Sequence, residues 1–354
     1  MPEAFNYTSS PGRIVFGSGT LARVAEEVER LGCANALILS TPFQKSDAKA
    51  LAKELGTMAA GTFTEAAMHT PIAVTKAALE VYNETKADCV VALGGGSTIG
   101  LGKAIAWRND APQVVIATTY AGSEVTDILG QTEKSQKTTV RDPKIRPETV
   151  IYDPDLTLGL PVAMSVASGL NAMAHAVEAL YAPDANPVTS LMAVEGLRAL
   201  KSALPRIVMT PEDRAARADA LYGSWLCGTV LGAVAMSLHH KLCHTLGGGF
   251  DMPHAETHAI LLPHTAAYNV EAASAELARA TELFDGDLGG GLYDFARSIG
   301  APLALADFGL KESELARAAD MAVQNPYKNP RDVTRDGILD LLTRAHAGQR
   351  PITT

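Results

Sequence analysis

A chain of 354 residues is too long for one hydrophobic core and is sized for two domains. Its 47% apolar and 19% charged residues supply ample core material and exclude disorder. Acidic residues outnumber basic ones 39 to 30, and this net charge of -9, with only 5% aromatics, argues against nucleic acid or an anionic membrane as a partner.

The opening residues, Met1-Pro2-Glu3-Ala4, carry neither the basic nor the apolar segment of a secretory leader. Cys33, Cys89, Cys227 and Cys243 are scattered with no CxxC pair, so reduced thiols and a cytoplasmic location are the default. Ile14-Val15-Phe16 reads as a short strand closed by Gly17-Ser18-Gly19. Ala36-Leu37-Ile38-Leu39-Ser40 is apolar without alternation, as in a strand covered on both faces. Residues 46–55 read as helix. Thr70-Pro71 reads as an N-cap and first-turn proline opening a helix to Glu84, with His69 in the loop before it. Cys89-Val90-Val91-Ala92-Leu93 is the next strand, followed by a glycine loop, a helix to Trp107 and the strand Val114-Val115-Ile116. This alternation predicts a parallel sheet with helices on both faces.

Past Asp153-Pro154-Asp155 the β-branched runs thin out. Residues 163–181, 187–203, 211–238, 272–284 and 311–323 show helical periodicity. The longest apolar run, 226–238, is too short to span a bilayer and reads as a buried core helix. The expected organisation is an α/β domain over residues 1–157 and an all-helical domain over 158–354, with the ligand in a cleft between them.

Three features carry chemistry. In Leu93-Gly94-Gly95-Gly96-Ser97-Thr98, consecutive glycines between strand and helix bring backbone N–H groups and a helix N-terminus close to a phosphate. The spacing fits neither the usual dinucleotide fingerprint nor a Walker A loop, and a tight turn without ligand is the plain alternative. Thr118, Thr119, Tyr120 and Ser123 cluster after the next strand, where parallel sheets bind ligands. Finally, six of the nine histidines lie between His239 and His264. Asn171 and His175 share a helix face, as do His240 and His244, and Gly247-Gly248-Gly249 is expected to break the helix before Pro253-His254. Convergence of His175, His240 and His254 would supply nitrogen ligands for a divalent metal. His239, His258, His264 and His346 show no such pattern and are expected to be structural.

These landmarks, in this order, resemble the group III, iron-containing alcohol dehydrogenase family over nearly the whole chain. The matches are Gly94-Gly95-Gly96-Ser97, Thr118-Thr119 with Ser123-Glu124, Ser168-Gly169-Leu170-Asn171-Ala172 with His175 and Glu178, His240 with His244 and Gly247, and Pro253-His254. The resemblance implies a Rossmann-like, dinucleotide-binding α/β domain followed by an all-α catalytic domain, an architecture shared with dehydroquinate synthase. It further implies NADH or NADPH as cofactor and a homodimer. Lys137 matches a position that contacts cofactor phosphate.

Two departures stand out. Asn171 occupies the position of the family's aspartate ligand, so a metal is expected not to be required. Thr41 replaces the acidic residue that would hold the ribose, so a 2′-phosphate is not repelled and both NADH and NADPH are expected to serve. The loop also carries Gly100 where the family has an aspartate.

Residues 94–104 (GGGSTIGLGKA), 118–124 (TTYAGSE), 238–249 (LHHKLCHTLGGG) and 250–258 (FDMPHAETH), with Asn325-Pro326-Tyr327, most resemble members that reduce the C=C bond of a 4-oxo-2-enedioate in aromatic-compound breakdown. A metal-dependent alcohol dehydrogenase or aldehyde reductase is the runner-up. In the first reading His175, His240, His244 and His254 donate hydrogen bonds to the ketone oxygen as enolate charge develops. Lys241, then Lys328 and Arg331, are the candidates for holding the carboxylates of a small dicarboxylate substrate.

Overall fold

The computed structural model describes Phe5, Tyr7 and residues 12–133, 136–325 and 327–353; residues 1–4, read above as lacking a leader, and Pro326 lie outside them. The chain divides into two compact units, Ser10–Leu160 and Pro161–Thr354. Among the described residues no single helix is long and apolar enough to cross a membrane.

The first unit runs β1 (Arg13–Phe16), α1 (Val24–Arg30), β2 (Ala36–Leu39), α2 (Lys45–Leu55), β3 (Ala59–Phe63), α3 (Ile72–Glu84), β4 (Cys89–Gly94), α4 (Gly96–Asn109), β5 (Gln113–Ala117), a hairpin of β6 (Ile128–Glu133) and β7 (Gln136–Arg141), and β8 (Thr149–Tyr152). Six strands form one parallel sheet in the order β1-β8-β5-β4-β2-β3. Strands β2, β4, β5 and β8 are buried at every position, which is why their sequences do not alternate. Their side chains Ile38, Val91, Val114, Ile116 and Ile151 pack with Val28 and Leu51 into one core. From β2 the chain turns outward to β3, and from β4 it turns the other way to β5. The sheet's switch point therefore lies between β2 and β4, and their carboxyl ends frame the crevice where such sheets take ligands.

The alternation of strand and helix did not reveal β3, β8 or the hairpin. β3 is Ala-Ala-Gly-Thr-Phe, poor in strand formers, and β8 follows the hairpin rather than a helix. The reading of Thr70 as an N-cap is corrected. Pro71 bridges to Thr132 and stays extended, so the helix starts at Ile72 while Thr70 takes a left-handed φ of 45°.

Lys103 of α4 is buried, and its Nζ donates to Ser123 O, Thr126 Oγ1 (2.9 Å) and Ile128 O (3.0 Å). Burial lowers its pKa to about 7 against the upward pull of Glu124 and Asp127. This single side chain ties the segment after β5 to the helix that follows the glycine loop.

The second unit is helical: α5 (Val162–Leu180), α6 (Pro187–Met209), α7 (Arg214–Ala233), α8 (Leu238–Phe250), α9 (His254–Asn269), α10 (Ser274–Leu283), α11 (Leu288–Ser298), α12 (Leu315–Ala322) and α13 (Arg335–His346). Helix α5 is buried all round from Ser165 to Leu180 and packs against α6, α7 and α9. Two expectations are corrected here. The run 226–238 is not one core helix: α7 ends at Ala233, and α8 leaves it at 94°. Nor do Gly247-Gly248-Gly249 break α8, which continues to Phe250 and ends at Asp251 with φ 54°. A Cβ on Gly249 would stand 2.8 Å from Met321 Cε, so that glycine permits close packing against α12 rather than ending the helix.

Candidate active site

In the first unit the residues singled out from sequence gather at the carboxyl ends of β2, β4 and β5. Thr41 follows β2 and opens the turn Pro42–Gln44. From that turn Gln44 Nε2 donates to Thr118 Oγ1 (3.2 Å), while Thr118 N donates to Gly94 O (3.1 Å). A Cβ on Gly94 would meet Thr98 Oγ1 at 2.5 Å, and one on Gly95 would meet Thr119 Cγ2 at 2.7 Å; Gly96 faces open space. The first two glycines thus allow close packing beneath the turn, and the third leaves the start of α4 uncovered. There the first-turn amides lack intrahelical partners, a ready anion site. Thr98 Oγ1 is buried without a partner. Gly100 is explained by crowding: a Cβ there would collide with Thr70 Oγ1. Ser97 is half-buried on α4 beside this turn, and Tyr120 is fully buried. Ser123 begins the short turn held by Lys103, and Lys137 lies on β7 opposite Thr132.

In the second unit α5, α8 and α9 bring the histidines together. Asn171, His175 and Glu178 follow one another at about one turn on α5 and are all buried. The Glu178 carboxylate accepts from the backbone N–H of His239 (2.7 Å) and of His240 (3.4 Å), the orphan amides at the start of α8, and also from His240 Nδ1. One side chain therefore caps a helix with negative charge and fixes an imidazole. The start of α8 is held from its other side by Ser237 Oγ, which bonds Lys328 O and Asn329 Oδ1, and Asn329 Nδ2 in turn donates to Asn269 Oδ1 (2.7 Å).

His240 Nε2 stands 3.1 Å from His175 Nδ1, and their rings are 5.0 Å apart. His258, expected to be structural, joins them: ligand nitrogens of His175, His240 and His258 all lie within 4.8 Å of one another. His254 packs against His258 at 4.4 Å between ring centres, and His244 lies 6.2 Å from His240. The trio is buried, whereas His244 and His254 are exposed. Burial holds His239 and His258 well below the ordinary imidazole pKa, so both are neutral.

The other expected structural histidines keep that character. His346 bonds Leu310 O (3.0 Å), and His264 is buried with its pKa lowered to about 4. Lys241 lies over the Tyr327 ring at 5.7 Å. Arg331 stacks on Tyr268 at 4.2 Å, and Lys328 is exposed.

The donor set suits a divalent cation despite Asn171. Two nitrogens about 2.1 Å from one tetrahedral ion stand roughly 3.4 Å apart, close to the spacing of His175 Nδ1 and His240 Nε2. His240 also gives its other nitrogen to a carboxylate, the usual support behind a metal-bound imidazole. Asn171 Oδ1 is buried with no partner. Sequence reasoning missed Glu178 and His258 as site residues. The available signal was their helical spacing, Glu178 three residues past His175 and His258 four past His254.

Comparison with known proteins agrees with this geometry. Residues 11–154 match the family described as iron-containing alcohol dehydrogenase, and residues 165–346 match the C-terminal part of the Fe-containing alcohol dehydrogenase family. The chain is 62% identical over 349 residues to maleylacetate reductase of Rhizobium sp. (strain MTP-10005), covering 99% of each. It is 54% identical over 350 residues to maleylacetate reductase of Sphingobium indicum, again covering 99% of each. The crystal structure of maleylacetate reductase from Agrobacterium tumefaciens superposes with a TM-score of 0.96 at 63% identity, covering 99% of this chain and 100% of that one. The chain belongs to the iron-containing alcohol dehydrogenase family.

Proposed function

We propose that this protein reduces the C=C bond of maleylacetate with NADH or NADPH to give 3-oxoadipate. The observation that carries this reading is identity above 60% to a maleylacetate reductase over 99% of the chain.

Bound NADH or NADPH supplies a hydride, which adds to the alkene carbon β to the ketone. The first-turn amides at the N-terminus of α4, beside the uncovered Gly96, hold its pyrophosphate. Thr118 and Thr119 line the same crevice. As negative charge moves onto the ketone oxygen, the histidine cluster must stabilise the enolate, and the former alkene carbon bonded to the ketone must receive a proton. His244 and His254, exposed beside the buried trio, are the imidazoles within a substrate's reach. Lys241 offers charge to a carboxylate of the dianion, with its Nζ 5.7 Å from the centre of the Tyr327 ring.

Asn171 alone suggests that no metal is needed, but the His175–His240 pair with Glu178 behind it fits a divalent cation. Such a cation would act as a Lewis acid toward the ketone oxygen.

Purified protein should oxidise NADH when maleylacetate is added and should be at least about a hundredfold less active toward simple primary alcohols. Alcohol oxidation without maleylacetate turnover would overturn the reading. Thr41 gives a second prediction. Thr41→Asp should lower kcat/KM for NADPH about tenfold relative to NADH, because the new carboxylate faces the 2′-phosphate. An unchanged NADPH to NADH ratio in steady-state kinetics would remove Thr41 from cofactor selection.

A further inference from the structure

The carboxyl ends of β2 and β4 frame the cofactor crevice, and the amino ends of the same two strands hold a second cluster that the proposed reaction does not use. Cys89 is the first residue of β4 and pairs across the sheet with Ala36, the first of β2. Cys33 is brought to this edge by the end of α1, where Gly32 turns the chain back at φ 75° and Cys33 N donates to Val28 O (3.2 Å). Asp88, next to Cys89 in the chain, is fixed by the residues that follow Cys33. Its Oδ2 accepts from Ala34 N (2.8 Å) and its Oδ1 from Asn35 N (2.9 Å), while Asp88 N donates to Asn35 O (2.9 Å). Two sulfurs and a carboxylate oxygen thereby lie within 4.8 Å of one another.

Two buried thiols alone would be small apolar filling. The carboxylate changes the chemistry, because thiolates with a carboxylate make a donor set that suits zinc-like ions rather than magnesium or calcium. Around a tetrahedral ion with metal–sulfur bonds of about 2.3 Å, neighbouring donor atoms stand roughly 3.5–3.8 Å apart, so the three need close by only about 1 Å. Each oxygen of Asp88 keeps a lone pair beyond the amide bond it accepts, and those amides are the outer support expected behind a ligating carboxylate. Cys33 Sγ makes long contacts, 3.7 Å to Leu31 O and to Asp88 O, so binding gives up little there. Both cysteines are buried, Asp88 is half-buried and Ala34 and Asn35 are exposed, so an ion enters from solvent on the Asp88 side, where water completes its coordination. We propose that Cys33, Asp88 and Cys89 bind a thiophilic divalent cation, of the zinc and cadmium class, as a structural site separate from the histidine cluster. β4 is six residues long, which sets the site about 16 Å from Gly94 along that strand. A cation there clips the segment after α1 to the start of β4 and takes no part in hydride transfer.

The test is cadmium(II) titrated into the chelator-treated, full-length protein kept reduced with a phosphine. A thiolate-to-cadmium charge-transfer band in the ultraviolet reports sulfur ligands and is silent for imidazoles. Wild type should develop the band. Cys33→Ser, before β2, and Cys89→Ala, at the start of β4, should each weaken the affinity read from it at least about a hundredfold, and Asp88→Asn about tenfold. Cys243→Ser should leave it unchanged, although Cys243 Sγ lies 3.6 Å from His239 Nε2 and is the competing sulfur at the histidine cluster. Thermal melting without metal checks that each variant is folded. Wild type with no band, a band unchanged in the folded Cys33→Ser or Cys89→Ala protein, or one that disappears in Cys243→Ser would overturn the proposal.

Discussion

Replacing His240 by alanine is expected to lower kcat for maleylacetate about 10²- to 10³-fold, the scale of removing one preorganised electrostatic partner of a developing oxyanion. His240 occupies the middle of the cluster: Glu178 holds its Nδ1, His175 meets its Nε2, and the rings of His239, His244 and His258 surround it. Whether the enolate is met by an N–H or by a cation, the group that meets it depends on this ring. The substitution should leave the fold in place, because Glu178 still accepts the amides of residues 239 and 240 at the start of α8. Steady-state kinetics with circular dichroism on the same sample checks both statements. Turnover within threefold of wild type would take His240 out of the mechanism.

Acid should destabilise the protein well before its carboxylates titrate. His264 is buried, its Nε2 has no partner, and burial with help from the charge of Arg344 lowers its pKa to about 4. An unfolded histidine titrates near pH 6.5, so between about pH 6.5 and 4 the unfolded chain binds a proton that the folded chain excludes. Stability therefore rises with pH across that window and is lost as pH falls, by about 1.4 kcal/mol per pH unit for His264 alone. His239 and His258 are lowered in the same direction, chiefly by burial. The protein should therefore be less stable at pH 5 than at pH 7.5 in denaturant titrations, with about 2 kcal/mol of the difference coming from His264. His264→Leu should remove about 2 kcal/mol of that difference, and equal stability at the two pH values would contradict the neutral, buried state of His264.

Much of the fold was legible because burial on both faces leaves a plain trace. Residues Ala36–Leu39 and Cys89–Gly94 are apolar at nearly every position, and only the interior of a parallel sheet asks for that. The order of the strands was not legible, since it is decided by pairings between distant residues, and the β6–β7 hairpin was not, since Ile128–Glu133 and Gln136–Arg141 carry few apolar residues. The site divides in the same way. Asn171 and His175 announce themselves by one-turn spacing on α5, and Glu178 continues the stripe. His258 shows only its spacing from His254, because its place in the cluster comes from α8 packing on α9, which sets His239 Nε2 2.9 Å from His258 Nδ1 across nineteen residues. The glycines mislead for a related reason. Gly249 reads as a helix breaker from sequence, yet Met321 packs where its side chain would be.

The central claim is that hydride goes to the alkene and not to the ketone. NADH carrying deuterium at the transferred position, turned over with maleylacetate, gives a product in which NMR can locate the label. Deuterium on the methylene carbon β to the ketone, in 3-oxoadipate, is the predicted result. Deuterium on a carbinol carbon, in a hydroxy acid that keeps its double bond, would contradict it and make this chain a carbonyl reductase.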